Sequence, residues 1–187
     1  MCAMVRELAE HELWERIAMT DEQALIGRRE LWGAGFGAAA LGLVASSAQA
    51  ADEAEPQLKS RFLFEMEAEL EPVQDVGDRQ IYIAKSGAIR GPRINATVLP
   101  GGGDWSTKRR DGTTLLDVRA TAKTDDGALI YTTYRGIIAQ KDSGFYFRTT
   151  PYFETNSEKY AWLNNVVAVG VFKPIAGKVA YNVFEIL

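Results

Sequence analysis

The sequence predicts an all-β protein: a single antiparallel β-barrel of about eight to ten strands with at most one short helix, preceded by a helical signal segment. Three observations predict it. First, Arg61 to Leu70 alternates, with Phe62, Phe64, Met66, Ala68 and Leu70 on one side and Glu65, Glu67 and Glu69 on the other, which is the period of a half-buried strand. Second, turn signals recur down the chain at Asp75-Val-Gly-Asp78, Pro100-Gly-Gly-Gly-Asp104, Asp125-Asp126-Gly127 and Asp142-Ser-Gly144, so the strands between them are short and numerous. Third, only Glu158 to Leu163 reads as helix. Many short strands at regular spacing form a sandwich or a barrel. Closure is favoured because it removes the exposed edges that so small a sheet would otherwise have to protect. A barrel of the outer-membrane kind is the rival, and charged residues on nearly every strand would interrupt its lipid-facing band.

Taken in order, the exported part begins with the alternating strand and a second strand from Gln80 to Ala84. Ile94 to Leu99 alternates again, and the three glycines after Pro100 read as a loop. Thr114 to Thr124 and Ala128 to Ala139 flank the Asp126-Gly127 pair, whose glycine supplies the positive φ of a tight hairpin. Phe145 to Thr150 follows, with Pro151 expected to interrupt pairing, as proline does at edges, bulges and strand ends. Asn164 to Phe172 and Gly177 to Ile186 close the chain as two β-rich runs.

Residues 1–50 read as an N-terminal extension and signal peptide, 51–57 as a linker, and 58–187 as the barrel domain. Arg28-Arg29 precedes an apolar run from Leu31 to Ala45, and Ala48-Gln49-Ala50 places small residues before a cleavage between Ala50 and Ala51. Two arginines, a variable Glu30, then Leu31 and Trp32 resemble a twin-arginine export signal. The export machinery that reads such signals is an expected partner, and a periplasmic or secreted product is the expected location. The run is shorter than the roughly 20 residues a membrane-crossing helix needs and carries four glycines, so no permanent membrane anchor is expected. Translation from Met19 would give a more compact leader.

With the leader's four basic and seven acidic residues set aside, 17 basic and 18 acidic side chains remain. No basic field for nucleic acid follows from that balance. Cys2 and His11 are the only residues of their kinds and both precede the cleavage point. Disulfides, thiol nucleophiles, Ser-His-Asp triads and the usual zinc and haem ligand sets are thereby excluded from the exported domain. Proton transfer there falls to Asp, Glu, Lys or Tyr, and no cofactor is expected.

Pro100 to Lys108 lacks the spacing of a phosphate-binding loop and reads better as a loop presenting Asp104 and Trp105 at a barrel mouth. Along Thr114 to Thr124, Leu116, Val118, Ala120 and Ala122 share one face while Leu115, Asp117, Arg119, Thr121 and Lys123 share the other. The charged face is either solvated or turned into the lumen, where Asp117 and Arg119 would form a coupled pair. In the same way Phe145, Phe147 and Thr149 oppose Tyr146, Arg148 and Thr150, with Tyr152, Phe153 and Glu154 near the rim and Trp162 and Asn164 returning beyond. An aromatic wall with a few convergent polar groups is what a small-molecule pocket requires, and aromatics at this density also serve as plain core. A hard cation among Asp104, Asp117 and Glu154 is conceivable, but no ligand spacing demands it.

Gly91-Pro-Arg-Ile-Asn-Ala, Leu99-Pro-Gly-Gly-Gly-Asp-Trp105, Leu116-Asp-Val-Arg119, Thr124-Asp-Asp-Gly-Ala-Leu-Ile130, Tyr146-Phe-Arg-Thr-Thr-Pro-Tyr-Phe-Glu154 and Tyr160-Ala-Trp-Leu-Asn164 occur in that order. In these segments the chain resembles the bacterial and fungal family known as domain of unknown function 3237, or uncharacterised protein family 0311, over roughly residues 58–187. The resemblance implies a compact antiparallel β-barrel that forms oligomers, and it implies no particular reaction. Members of that family usually lack a leader, so the export signal is a departure.

Two functions are weighed. One is an exported barrel binding a small, partly aromatic or oxygenated molecule against Trp105, Phe153 and Trp162, with Tyr134 and Asn164 beside it and Arg119 or Arg148 meeting an anionic or carbonyl group. The other is a cofactor-independent isomerase, cyclase or hydratase, with Asp104, Asp117 or Glu154 as base and Arg148 or Tyr134 stabilising an enolate-like oxygen. A structural homo-oligomer without ligand is the third reading.

Overall fold

Alternation along each strand dictates a sheet with one apolar face, and a sheet with one apolar face must bury it. Here the sheet does so by closing on itself. The computed structural model describes residues 57–142 and 144–187. Its strands are β1 (Ser60–Leu70), β2 (Gln74–Asp75), β3 (Arg79–Arg90), β4 (Asn95–Val98), β5 (Gly103–Lys108), β6 (Thr114–Thr124), β7 (Leu129–Lys141), β8 (Gly144–Glu154), β9 (Ala168–Phe172) and β10 (Val179–Ile186), with a 3-10 helix at Glu158–Asn165. Arg28-Arg29, the Ala50/Ala51 junction and most of the 51–57 linker lie outside the described residues.

The wall runs β1-β10-β9-β8-β7-β6, then β4 and β5 in succession, then β3, and antiparallel pairing of β1 with β3 seals it. Both β4 and β5 bridge β3 to β6, so they share one of eight wall positions, and β2 is a short addition beside β3. Gly87 sits on the β1–β3 seam opposite Ala68. A Cβ there would overlap the Glu67 backbone carbonyl, so a glycine is needed where the two strands come closest.

Inward rows carry the core: Phe64 and Met66 on β1, Ile89 on β3, Leu116, Val118 and Ala122 on β6, Ile130 and Tyr134 on β7, Phe147 and Phe153 on β8, Tyr181 and Val183 on β10. The interior is therefore packed rather than hollow.

Four local expectations change. β3 continues past Ala84 to Arg90, because a register shift opposite Glu69/Leu70 lets the strand bend and keep pairing. β5 begins at Gly103 inside the glycine run, where the bare backbone lies against β3 and β6. β8 passes straight through Pro151, which is tolerated because β9 pairs with β8 only at Arg148 and Thr149, leaving an open edge beyond. The helix extends to Asn165, so β9 starts only at Ala168.

The helix covers the end of the barrel where Thr124, Ile130 and Phe153 lie, burying Tyr160 and Leu163 against that core. A polar clasp fixes it. Asp126, in the β6–β7 turn, accepts from Lys159 Nζ (2.5 Å), Thr124 Oγ1 (2.5 Å) and Tyr160 Oη (3.1 Å). These donors, Lys159 foremost, hold its carboxyl down at about 2. A depressed carboxyl contributes stability above its unfolded value of 3.8 that disappears as pH falls through about 2. Asp126→Asn is therefore expected to melt below the wild type at pH 7, and the difference is expected to vanish by pH 2 in a calorimetric pH series.

Candidate functional site

At the end opposite the helix, the inward rows change from aliphatic to aromatic and polar. Phe147 and Phe172 stack with centroids 5.0 Å apart, and Phe145 meets Phe172 edge-on at 5.7 Å. Across from them β3 and β5 supply Gln80, Tyr82, Asp104 and Ser106, with Tyr82 Oη donating to Gln80 Oε1 at 3.0 Å. Phe145, Phe172, Gln80, Tyr82 and Asp104 are only half-buried, so this end is reachable from solvent.

Asp104 is the centre of the arrangement. It pairs with Val118, which in turn pairs with Tyr134, and all three share the inward face. The β5–β6 ladder is interrupted at Trp105 and Ser106, and the Asp104 carboxylate fills the gap by accepting the Asp117 backbone N–H (2.9 Å). Its other oxygen accepts from the buried Ser106 hydroxyl (2.6 Å). Burial raises its pKa above the usual carboxylate value, outweighing those two hydrogen bonds.

Tyr134 and Tyr181 complete the cluster. Their rings meet edge-on at 5.9 Å, Tyr181 also meets Phe147 edge-on at 5.3 Å, and the two hydroxyls hydrogen-bond to each other. Burial drives both phenols well above their ordinary pKa, with the nearby Asp104 carboxylate adding to the effect. The tyrosines therefore stay protonated and act as hydrogen-bond donors. Gly170, on the wall beneath, has no room for a Cβ, which would overlap Thr149 Oγ1 and lie 3.7 Å from the Tyr181 Cβ.

The residues expected from sequence separate into three groups. Asp104 and Tyr134 come together inside the barrel. Asp117, Arg119 and Arg148 do not enter it: the apolar row of β6 takes the interior, and the charged row faces out. There Asp117 holds Arg119 (2.9 Å) and Arg135 (2.9 Å), while Arg148 lies over Tyr146 at 5.0 Å and donates to its neighbour's carbonyl. The lumenal Asp117–Arg119 pair is thus corrected to an outer ion triad, the physical reason being that a packed interior admits the face without charge. Trp105 also faces out, with Arg119 5.8 Å from its ring. The third group lies at the helix end. Phe153 is core there, edge-on to Phe64 at 5.6 Å, and Trp162 is stacked under Arg93 at 3.8 Å. Asn164 ties the loop, accepting from Thr155 N–H and donating to its carbonyl, each at 2.9 Å. Glu154 is on the outer surface, so Asp104, Asp117 and Glu154 do not gather. Among the described residues no group of three or more metal-ligating side chains forms.

Two open depressions mark the wall, one bringing together the expected Phe153, Glu154 and Asn164 with Leu129 and Tyr131, the other the expected Trp105 and Arg119 with Pro100 and Tyr131. Neither includes the desolvated carboxyl. The chemistry points to the barrel end, because an exposed ion triad on a convex wall offers little that water does not.

Ser106 and Tyr181 were not foreseen. Tyr181 is one of an alternating set, Val179, Tyr181 and Val183, and that alternation is the signal that would have placed a phenol indoors.

Over residues 58–186 the chain matches the model of a family described as protein of unknown function (DUF3237), and it belongs to that family. It is 39% identical over 108 residues to a UPF0311 protein of Clostridium acetobutylicum, covering 50% of this chain and 68% of the relative. A β-barrel-like protein of Acinetobacter baumannii has the same fold, with a TM-score of 0.67 and 29% identity over 71% of this chain and 98% of that one. A protein of Penicillium herquei named as a hydroalkoxylation enzyme is 38% identical over 105 residues, 52% of this chain and 62% of the relative.

A raised carboxyl pKa has a sign. The penalty for holding Asp104 ionised is absent below 3.8, its ordinary value, and grows as pH rises through the folded-state value. Asp104→Asn keeps an acceptor for the Asp117 N–H and a partner for Ser106 while removing the charge. It is expected to melt above the wild type at pH 7, with the gap closing below pH 3.8, measured by thermal denaturation.

Proposed function

Proceeding from membership of that family, we propose that the open end of this barrel binds a small oxygenated aromatic molecule and moves a proton on it, with Asp104 as the acid and base and Tyr134 as the oxygen-holding donor. The observation that carries the reading is the desolvated Asp104 carboxyl beside the hydrogen-bonded Tyr134–Tyr181 pair. A carboxyl whose pKa is lifted by burial keeps its proton nearer to neutrality, where it can serve as a general acid toward a bound substrate.

The relative named as a hydroalkoxylation enzyme suggests the reaction type, the addition of an O–H across a carbon–carbon double bond. Where the hydroxyl and the double bond belong to one molecule, Asp104 gives its proton to one alkene carbon, the substrate hydroxyl oxygen bonds to the other and closes a ring, and that oxygen's proton returns to Asp104. The sum is an isomerisation needing no co-reactant. Tyr134 would hold an oxygen of the substrate, and Phe145, Phe147 and Phe172 would hold its ring.

The test is cyclisation of an ortho-prenylphenol in deuterium oxide, followed by mass spectrometry. Asp104→Asn and Tyr134→Phe are each expected to lose about 10²-fold or more of the rate with their folds intact, whereas Arg119→Ala and Arg148→Ala keep it. Binding without any cyclisation or deuterium uptake would reduce the protein to a carrier.

The reading includes export. It is supported by Arg28-Arg29 and the weakly apolar run that ends at Ala48-Gln49-Ala50. Replacing both arginines with lysine is expected to leave the protein in the cytoplasm of an exporting host, as read by fractionation and by the mass of the N-terminus.

A further inference from the structure

The charges around the barrel are sorted by side. Among the described residues, the inward rows at the open end carry Asp104 as their one charged side chain until the rim, where Lys108 lies 3.9 Å from Asp75. On the outer side of the wall Arg119 and Arg135 sit on Asp117 and Arg148 lies over Tyr146, while Arg109 and Arg110 are exposed in the rim turn that follows β5, Arg109 4.0 Å from Asp111.

We propose that this end selects uncharged oxygen-bearing aromatic molecules and rejects their anionic counterparts, an inference that rests on its being a small-molecule site. An anion passing below the rim would lose its hydration, find no counter-charge among the described inward side chains and face a carboxyl oxygen, each of which disfavours it. A neutral carbonyl or hydroxyl loses far less. It is offered a donor, because the Tyr134–Tyr181 hydrogen bond uses one of the two phenolic protons and leaves the other. The stacked Phe147–Phe172 wall accommodates a planar ring.

The arrangement also excludes a carboxylate- or phosphate-bearing substrate for any chemistry at Asp104. Arginine is the side chain usually set against such groups, through two parallel hydrogen bonds. Among the described residues no arginine stands on an inward row of the strands.

A matched pair of probes tests the claim: methyl 2-naphthoate and 2-naphthoate, which share a ring and differ in one charge. Titrated by calorimetry into the barrel at pH 7, the ester is expected to bind at least about tenfold more tightly than the anion. Asp104→Asn should narrow the difference by admitting the anion, Tyr134→Phe should narrow it by weakening the ester, and Arg119→Ala should change neither. Equal or tighter binding of the naphthoate to the wild type would overturn charge selection while leaving the site in place. Binding of either probe lost in Arg119→Ala would put the ligand on the outer wall and overturn it as well. If neither probe binds, the site itself fails, and the inference with it.

Discussion

The β1–β3 ladder is the constraint on which everything else depends. Without it the sheet would end in two open edges and have two solvated faces; with it, every strand acquires an inside and an outside. Six pairs from Glu65↔Arg90 to Leu70↔Ala84, with one register shift between Glu69 and Leu70, make that seam. Its closeness depends on Gly87, which presents hydrogen where any other residue would meet the Glu67 carbonyl. Once the ring is shut, alternation along each strand decides which side chains meet, including pairs as far apart in sequence as Tyr134 and Tyr181.

The fold was legible because period-two alternation and turn glycines are local signals. Arg61 to Leu70 and Thr114 to Thr124 announce strands by themselves, and Gly127 at φ +90° takes up the hairpin conformation that the Asp126-Gly127 pair foretold. Sidedness was not local. The two faces of Thr114–Thr124 are each consistent, and which of them turns inward depends on whether the closed ring encloses water or side chains. Phe64, Phe147, Phe153, Tyr134 and Tyr181 fill it, so the apolar face goes in and Asp117 and Arg119 go out. Asp104 was read as a loop residue at a barrel mouth; the structure puts it on β5, because the bare backbone of the glycine run lets the strand begin at Gly103 and pair with both β3 and β6. Ser106 stayed hidden because it lies in a stretch read as loop, where no alternation assigns a side, and Tyr181 because its partners, Tyr134 and Phe147, are distant in sequence.

Polar groups inside such a core are costly unless partnered. The Asp104 oxygens have the Ser106 hydroxyl and the Asp117 N–H, and the two phenols have each other. These bonds hold the carboxyl in one orientation but do not return its pKa to the ordinary range, since desolvation remains the larger effect. The contrast with Asp126 is instructive. That carboxyl, on the surface with a lysine, a threonine and a tyrosine donating to it, is driven to about 2. Two aspartates in one small barrel are thus pushed in opposite directions, one toward holding a proton and one toward holding a lysine. Only the former is suited to proton transfer.

The two ends of the barrel divide these tasks. At the helix end Tyr160, Leu163 and Phe153 complete the core, and Asp126 and Asn164 tie the covering segment down through bonds to Lys159, Tyr160 and Thr155. That end is closed. At the other, the wall position shared by β4 and β5 has a gap in its ladder at Trp105 and Ser106, and a side-chain carboxylate stands where backbone would otherwise pair. A ladder interrupted beside an open mouth is poor economy for a purely structural barrel, because the bond to the Asp117 N–H could have come from a carbonyl without bringing a charge indoors. The placement becomes intelligible if the carboxyl is there to meet something that enters. The closed end then has its own role: its clasp anchors the strands whose opposite ends hold Asp104, Tyr134 and Tyr181.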